Sequence, residues 1–309
     1  MKHKILLGDA FELIDELDLN SINLILTSPP YWAKRRYSEE SEIGAEPTPV
    51  EYVNDLADCF DRFRPYLKDD GNLFVNIGDT FFGSGAGAWR KYLDESGEIT
   101  RHQKDRKEKY FTLKPLQPKI KQDGRLYQNK QLLLIPSRFA IAMQERGWIL
   151  RDDIIWYKPN RIPASVKDRF NCMYEHVYHF VRSKKYYFDL DAVKVPKRTG
   201  VGKKNPGDVW DIKTQPLAGS HTATFPEELA ERVIRCASPK GGVVFDPFLG
   251  TGTTWLAAHR LQRSCTGFDI SRDFLDYAIA RFNSAFSQRE LDPDWLPMSK
   301  DDLERRRAS

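Results

Sequence analysis

Short apolar segments of strand length alternate along this chain with longer segments that carry a helical pattern of apolar residues. The predicted strands are residues 3–7, 22–26, 72–77, 150–157, 176–181, 243–245 and 264–268, and the predicted helices are residues 49–67, 137–146, 226–237, 253–261 and 271–286. Such alternation is typical of a parallel sheet whose crossover helices cover both faces. We therefore predict an α/β fold built on a doubly wound, mostly parallel sheet.

The composition places the chain among globular proteins. Of its 309 residues, 40% are hydrophobic, which is enough to bury a large core. No uncharged stretch approaches the roughly 20 residues that cross a bilayer. The four cysteines are scattered without disulfide or metal spacing. We therefore expect a cytoplasmic protein without a membrane partner, and its net charge of +4 permits nucleic-acid binding without requiring it.

Two long stretches interrupt the alternation, and both are basic. Residues 83–130 form an insertion in which positions 90–125 carry eleven Lys or Arg against six Asp or Glu. Residues 191–220 hold a second cluster without an acidic residue inside it, formed by Lys194, Lys197, Arg198, Lys203 and Lys204. Loops of this length inside a compact domain are usually functional or mobile. Solvated surface explains either stretch, taken alone, equally well.

The segment NLILTSPPYW, residues 23–32, runs from an apolar strand directly into two prolines. Neither proline can donate to a sheet, and each fixes its own φ, so the backbone leaves the strand along a stiff path. Ser28 and Tyr31 are therefore expected on a rigid loop. Core packing is the commoner fate of Tyr31 and Trp32, but it does not explain the Ser-Pro-Pro that precedes them.

A glycine turn follows the predicted strand at residues 243–245. The sequence DPFLGTGTT, residues 246–254, places an acidic residue, a Gly-x-Gly turn and a helix start in succession. In this geometry the backbone approaches a nucleotide-like ligand at the carboxyl end of a strand. Trp255 replaces the third glycine of a dinucleotide fingerprint, and the Gly-Lys-Ser/Thr of a phosphate-binding loop is absent.

An acidic residue also ends the next predicted strand. Asp269 lies 19 residues beyond Gly250 and is well placed to accept hydrogen bonds from ribose hydroxyls. A tight turn between strand and helix would explain Gly-x-Gly alone. It explains less well the set that Asp246, the glycines and Asp269 form together.

In this order the motifs resemble those of the S-adenosylmethionine-dependent amino-methyltransferases of DNA, in the permuted arrangement called the beta group. That family has a (D/N/S)-P-P-(Y/F) motif first, a target-recognition segment next and an F-x-G-x-G motif last. Here Ser28-Pro29-Pro30-Tyr31 precedes Phe248-Leu249-Gly250-Thr251-Gly252, and residues 8–11, 153–160, 174–176 and 221–226 resemble further family segments. The resemblance covers most of residues 3–285. It implies one methyltransferase domain, residues 1–309, in which the strands ending at Leu26 and Phe245 lie side by side.

The resemblance implies a catalytic loop formed by Ser28, Pro29, Pro30 and Tyr31. The amino nitrogen of cytosine or adenine is a poor nucleophile because its lone pair is delocalised, and acceptors at its N–H bonds would localise that pair. The Ser28 side chain and the Pro29 carbonyl are the expected acceptors. The base must leave the duplex, and stacking on Tyr31 would contribute about 1–3 kcal/mol toward that cost.

Transfer is expected to be a direct displacement. A methyltransferase acting on carbon-5 of cytosine would need a nucleophilic cysteine, which follows a proline in that family. None of the four cysteines follows a proline.

The cofactor that the resemblance implies is S-adenosyl-L-methionine. The residues implied to bind it are Asp9 at the adenine amine, Asp269 at the ribose, Asp246, Phe248, Gly250, Thr251 and Gly252 around the methionine part, Thr253 and Thr254 at the start of a helix, and Phe225 in a segment, residues 221–226, that closes over it. Each residue alone has a simpler explanation as a turn former, helix cap or helix entry. No metal is expected, because the six histidines do not cluster with other ligands at metal spacing.

The implied partner is double-stranded DNA. Phosphate contacts should supply most of the affinity, and the family order places base recognition in residues 191–220 and backbone contacts in residues 83–130. The stretch 160–169 is expected to face DNA near the flipped base. The predicted DNA-binding residues are Trp32, Lys158, Asn160, Arg161, Ser165, Lys194, Lys197, Arg198, Lys203 and Lys204. For Lys158 and Asn160, a solvated strand end is the alternative.

The target base is the least determined part of the prediction. Serine at the first motif position is the family's habitual choice for N4 of cytosine and aspartate for N6 of adenine, so cytosine is favoured and adenine stays open. A DNA-binding protein that keeps the fold without catalysis is the alternative of another class, although the intact donor motif speaks against it. A cognate restriction endonuclease is a further expected partner, and the protein is expected to be a monomer or a homodimer.

Overall fold

The computed structural model describes residues 1–32, 43–82, 120–122, 125–128, 130–161, 163, 165–215, 224–286, 298–299 and 305. Most of the predicted basic insertion, residues 83–130, lies outside the described residues. So do residues 216–223, which include the end of the predicted recognition segment and half of the segment, residues 221–226, that is expected to close over the cofactor.

Most strands of the described chain belong to one sheet. The strands are β1 (His3–Leu7), β2 (Ile22–Thr27), β3 (Leu67–Ile77), β4 (Ile120–Gln122), β5 (Arg125–Tyr127), β6 (Ile149–Tyr157), β7 (Tyr174–Val181), β8 (Val195–Pro196), β9 (Lys203–Lys204), β10 (Val209–Asp211), β11 (Val243–Asp246), β12 (Ser264–Asp269) and β13 (Met298–Ser299). Nine of them form a sheet in the order β10-β6-β7-β3-β2-β11-β12-β1-β13. Its neighbours are parallel, except that β7 is antiparallel to β3 and β6. The prediction of a mostly parallel sheet is confirmed.

The helices are α1 (Pro49–Phe63), α2 (Ile135–Glu145), α3 (Glu227–Ala237), α4 (Thr253–Arg260) and α5 (Arg272–Ala285). The Thr48 side chain caps α1 by accepting the Glu51 N–H at 3.1 Å. This helix ends at Phe63, before the predicted end at residue 67, because Pro65 cannot continue it and the chain turns into β3. Among the described helices, none combines the length and the apolar character that crossing a membrane requires.

Helices cover both faces of the sheet, as the alternation predicts. One face carries α1 and α2, whose side chains join a core cluster that includes Tyr52, Phe60, Phe139, Ile25 and Val75. The other face carries α3, α4 and α5, and its cluster includes Leu229, Trp255, Leu275, Leu24 and Leu26. Alternate residues of β2 therefore enter opposite cores, which fixes the register of this strand.

The two strands that carry the motifs are neighbours. β2 and β11 are parallel, with Ile25 paired to Phe245, so both motifs begin at the same edge of the sheet. We call this the carboxyl edge: the carboxyl ends of β1, β2, β3, β6, β11 and β12, together with the amino end of β7.

The segment 191–220 contains structure that its sequence did not predict. β8 and β9 form an antiparallel hairpin, and β10 then joins the border of the main sheet, with Val209 paired to Ile155. The segment is thereby attached to the end of β6, close to the carboxyl edge.

Candidate active site

The loop after β2 is held from α1 and from the chain that precedes α1. Fully buried Tyr52 donates its hydroxyl to the Pro30 carbonyl at 2.9 Å, and the Trp32 indole N–H donates to the Glu46 carbonyl at 3.0 Å. These two bonds fix the path of the two prolines. Trp32 itself is 3% exposed within the core, so the structure does not support its predicted contact with DNA.

Tyr31 directs its hydroxyl into a polar cluster at the amino end of β7. The hydroxyl donates to Glu175 Oε2 at 2.8 Å, and Asn76 Nδ2 donates to the same oxygen at 3.2 Å. Burial and the Glu175 carboxylate raise the pKa of Tyr31 well above its ordinary value, so the phenol keeps its proton at neutral pH.

Lys158 belongs to the same cluster. Its ammonium forms an ion pair with Glu175 and lies 4.1 Å from the centroid of the Trp156 ring. Because Lys158 is 7% exposed, the alternative of a solvated strand end is wrong. The ammonium lies inside the site rather than among surface groups that meet phosphates, and its predicted contact with DNA is restricted to a base that enters this site.

Asp246 joins the two motif-bearing strands to α4. Its Oδ1 accepts from the Thr27 hydroxyl at 2.6 Å and from the Phe248 N–H at 3.1 Å, and its Oδ2 accepts from the Thr254 hydroxyl at 2.6 Å. Burial raises the pKa of Asp246 to about 6. Asp246 and Thr254 therefore hold the site together, while their contacts with a cofactor stay predictions.

The glycine turn is tightly packed on one side and open on the other. Gly250 and Gly252 have φ values of 54° and 78°, which favour glycine. A Cβ on Gly252 would lie 2.8 Å from Ala278 Cβ, whereas one on Gly250 would meet nothing closer than the Phe248 carbonyl at 3.9 Å. The open side of Gly250 leaves room for a ligand.

Two carboxylates lie at the same edge of the sheet as the glycine turn. Asp269 Oδ2 accepts the Gly250 N–H at 2.7 Å, and Leu7, opposite Asp269 in the sheet, brings Asp9 to the same edge. Asp9 Oδ1 accepts the Phe11 N–H at 2.7 Å. Each carboxylate keeps acceptor capacity for hydroxyl or amine donors. This acceptor set fits the adenosine part of S-adenosyl-L-methionine, whose donors are ribose hydroxyls and an amine.

Arg281 supports two of the remaining residues predicted to bind the cofactor, Thr251 and Thr253. Arg281 Nη1 donates to the Thr251 carbonyl at 2.7 Å and to the Thr253 hydroxyl at 3.1 Å. Phe225 is 6% exposed in the core cluster beneath α3, and Phe248 is half-buried. Direct contact of these side chains with a cofactor stays a prediction.

Two of the predicted DNA-binding residues after β6, Asn160 and Arg161, hold neighbouring loops in place. The Asn160 amide donates to the Thr214 carbonyl at 3.0 Å and accepts the Thr214 N–H at 2.8 Å, which ties the segment 191–220 to this loop. Arg161 donates to the Cys172 carbonyl at 2.6 Å, and Ser165 is exposed.

The basic residues of the second stretch share one exposed hairpin. Four of them are exposed on β8, β9 and the turn between them, namely Lys197, Arg198, Lys203 and Lys204. Lys194, just before the hairpin, instead pairs with Asp191 at 2.5 Å. Spacing in sequence did not indicate that the four charges would lie on one ribbon.

Sequence reasoning assigned no role to Glu175 or Asn76, although both contact Tyr31. The feature that pointed to Glu175 was an acidic residue at the start of an otherwise apolar strand, within the segment 174–176 that resembles the family. Its partners became clear only from the antiparallel pairing of β7 with β3 and β6.

Comparison with known proteins agrees with this geometry. Residues 22–280 match the N6/N4 methyltransferase family model, described as DNA methylase. The chain is 39% identical over 279 residues to the type II methyltransferase M.SmaI of Serratia marcescens, covering 90% of each chain. It is 37% identical over 274 residues to M.Cfr9I of Citrobacter freundii, covering 89% of this chain and 85% of that one.

Two solved structures share the fold. PvuII DNA methyltransferase, described as cytosine-N4-specific, superposes with a TM-score of 0.66 at 21% identity, covering 99% of this chain and 92% of that one. A putative DNA modification methylase from Thermus thermophilus, solved with S-adenosyl-L-methionine, gives a TM-score of 0.59 at 22% identity, covering 93% of this chain and 95% of that one.

Proposed function

Since this chain belongs to the N6/N4 DNA methylase family, we propose that it methylates the exocyclic N4 of a cytosine in double-stranded DNA. As a member of that family it is a DNA methyltransferase, and its cofactor is S-adenosyl-L-methionine. The observation that carries the proposal is the pairing of Ile25 with Phe245, which brings the Ser28 loop and the Gly250 turn to one edge. A donor at the turn then faces an acceptor at the loop.

The chain's own residues hold the two reactants. The open side of Gly250 would receive the cofactor, Asp269 would accept hydrogen bonds from its ribose hydroxyls, and Asp9 would accept from its adenine amine. The bound cofactor supplies a methyl group on a positively charged sulfur. The residues behind the turn, Asp246 and Arg281, keep this binding surface in place through the hydrogen bonds already described.

The loop after β2, residues 28–31, is the part of the site that holds the target base. We infer that the base leaves the duplex, packs against the Tyr31 ring and presents its amine to the Ser28 hydroxyl oxygen and the Pro29 carbonyl. Hydrogen bonds to these acceptors localise the nitrogen lone pair. The nitrogen would then attack the methyl group that the cofactor supplies directly, so that no covalent enzyme intermediate would form.

The choice of cytosine N4 over adenine N6 rests on Ser28 at the first motif position. The shared fold with PvuII DNA methyltransferase, described as cytosine-N4-specific, supports the same choice. The test is mass analysis of nucleosides from plasmid DNA of a host that lacks other amino-methylation, expressing either this chain or its Ser28→Ala variant. We expect N4-methylcytosine with the unaltered chain only. N6-methyladenine would instead assign the enzyme to adenine.

Two segments share the proposed contacts with DNA, residues 191–220 and residues 83–130. We propose that the β8–β9 hairpin and residues 191–220 read and hold the duplex, and that residues 83–130 add backbone contacts within a single domain, residues 1–309. The curated relatives are type II methyltransferases, and we propose a cognate restriction endonuclease as a genetic partner. Resistance of methylated DNA to an endonuclease that cuts at the mapped site would support this partnership, and cleavage of that DNA would oppose it.

A further inference from the structure

Phe170 is the most exposed large apolar residue in the part of the chain that the structure describes. It is 96% exposed, and Val201 and Leu19 follow it at 79% and 69%. A single exposed apolar side chain is common on a protein surface. A phenyl ring with almost its whole surface in water is less common, since Phe is among the residues most often buried. The proposed function gives Phe170 no task, but its place in the fold points to one.

Phe170 lies in the loop that connects β6 to β7 at the carboxyl edge, which we call the β6–β7 loop, residues 158–173. The Lys158 N–H donates to the Met173 carbonyl at 2.8 Å and closes this loop at its base. Lys158 also pairs with Glu175, which accepts the Tyr31 hydroxyl. The β6–β7 loop therefore begins and ends beside the part of the site that is proposed to receive the target base.

The residues before Phe170 hold the backbone of the β6–β7 loop. The Arg169 guanidinium lies 4.0 Å from the centroid of the Phe81 ring, and its Nη1 donates to the Phe170 carbonyl at 3.1 Å. Asp168 forms an ion pair with Lys130. Phe81 follows β3, and β3 lies between β7 and β2 in the sheet, so these contacts draw the loop toward the loop after β2. The backbone at Phe170 is thus held while its ring stays exposed.

The charge around Phe170 indicates what its ring contacts. Between the two ends of the β6–β7 loop, Arg161, Lys167 and Arg169 stand against one acidic residue, Asp168. Such a basic segment attracts phosphates. Surfaces that bind proteins are contiguous apolar patches of several hundred Å², whereas proteins that kink a duplex insert single apolar side chains between its bases. A ring among cations therefore favours double-stranded DNA as the partner of Phe170.

We propose that Phe170 is a wedge that enters the base stack of the DNA at the place that the extruded base leaves. This inference rests on the proposed function, because it needs a base that leaves the duplex, and it holds for cytosine or adenine. Extrusion removes a stacking partner from the two neighbouring bases. A phenyl ring in the vacancy restores part of that stacking and opposes the return of the base. Phe170 thus assists extrusion, whereas Ser28 acts on the amine.

The test compares Phe170→Ala with the unaltered chain in single-turnover methyl transfer, with saturating cofactor and DNA, on two duplexes. In one duplex the target base is normally paired, and in the other it faces a mismatched base, which makes extrusion easier. Relative to the unaltered chain on the same duplex, we expect Phe170→Ala to be about 10-fold slower on the paired duplex and within about twofold on the mismatched one. Equal slowing on both duplexes, or no slowing on either, would overturn the proposal.

A second measurement follows extrusion without methyl transfer. The duplex carries 2-aminopurine at the target position, and the fluorescence of this base rises when it leaves the stack. With S-adenosylhomocysteine and saturating protein, we expect a rise with the unaltered chain, a clearly smaller rise with Phe170→Ala, and most of the full rise with Phe170→Leu, which keeps an apolar wedge. An equal rise with the unaltered chain and Phe170→Ala would overturn the proposal, and so would no rise with the unaltered chain.

Leu19→Ala is the matched control, because Leu19 is 69% exposed and precedes the amino end of β2, at the opposite edge of the sheet. It should equal the unaltered chain on both duplexes. Phe170→Ala should keep the melting temperature and the cofactor affinity of the unaltered chain, since it changes an exposed side chain. Loss of either would show a structural role and overturn the wedge. Failure of the unaltered chain to methylate both duplexes would instead refute the proposed function.

Discussion

The carboxyl edge carries two parts of the site: the glycine turn at residues 250–252, which we call the turn side, and the loop at residues 28–31, which we call the loop side. The two sides use their polar groups differently. On the turn side, the Asp246 and Asp269 carboxylates accept hydrogen bonds from the chain's own hydroxyls and N–H groups. On the loop side, the Tyr31 hydroxyl donates to Glu175 Oε2 at 2.8 Å, and Ser28 is half-buried. The hydrogen bonds on the turn side hold the backbone of the turn, and Asp269 keeps acceptor capacity for a ligand. We infer that the turn side shapes the cofactor site and that the loop side holds the target base.

The largest expected effect concerns chemistry on the loop side. Ser28→Ala removes the acceptor nearest the amine, so we expect methyl transfer to fall by about 10²–10⁴-fold. The cofactor affinity of the variant, measured by calorimetry, should stay within about twofold of that of the unaltered protein. The reason is that Ser28 lies on the loop side, whereas the cofactor is proposed to bind on the turn side. Ser21→Ala is the control, since its hydroxyl bonds only locally to the Asp18 carbonyl at 2.6 Å. An equal loss of methyl transfer and of cofactor affinity in Ser28→Ala would contradict the claim that the two sides have separate roles.

The opposite pattern is expected on the turn side. Asp246→Ala leaves the buried Thr27 and Thr254 hydroxyls without their acceptor, so we expect the free energy of unfolding to fall by about 3 kcal/mol. Urea unfolding measures this loss. Asp276→Ala, on the exposed face of α5, should change stability by less than about 0.5 kcal/mol. If Asp246→Ala is as stable as its control, Asp246 does not join the strands.

A smaller effect appears in the pH dependence of stability. The pKa of Asp246 is raised from 3.8 to about 6 in the folded protein. The part of its contribution to stability that depends on protonation is therefore complete below pH 3.8 and is lost as pH rises through 6. Between pH 7 and pH 5 the unaltered protein should gain about 1 kcal/mol relative to Asp246→Asn, which cannot titrate there. Urea unfolding at both pH values gives the difference. If the difference in stability between the two proteins is the same at both pH values, the pKa of Asp246 is not raised in the folded protein.

The smallest expected effect lies outside both sides, on the β8–β9 hairpin. Lys197→Ala or Lys203→Ala should lower the slope of log affinity for DNA against log salt concentration by about 1, without changing the preferred sequence. Lys240, just before the amino end of β11 and exposed, provides the control, and Lys240→Ala should leave the slope unchanged. If all three variants have the same slope, the hairpin does not make the phosphate contacts.

The sequence predicted the turn side better than the loop side. Alternating patterns and prolines indicated the strands and helices, and the motif order predicted that β2 and β11 are neighbours, as the pairing of Ile25 with Phe245 confirms. These features depend on local periodicity and on a resemblance that spans the chain. The contribution of β10 was missed because Val209–Asp211 is too short to show a pattern.

The contacts of Glu175 could not be predicted in the same way. They depend on β7 running antiparallel between β3 and β6, which places Glu175 opposite Trp156 and within reach of Lys158. No local pattern specifies that register. Trp32 shows the same limit, because burial by α1 and Glu46 depends on packing and not on the aromatic residue beside the motif.

The most direct test of the division between the two sides is a crystal structure with S-adenosylhomocysteine and a duplex that carries the mapped target. We expect the cofactor at the open side of Gly250, its ribose at Asp269, and an extruded base whose amine lies about 3 Å from the Ser28 oxygen. A cofactor bound away from the Gly250 turn, or a target amine held far from Ser28, would contradict the account.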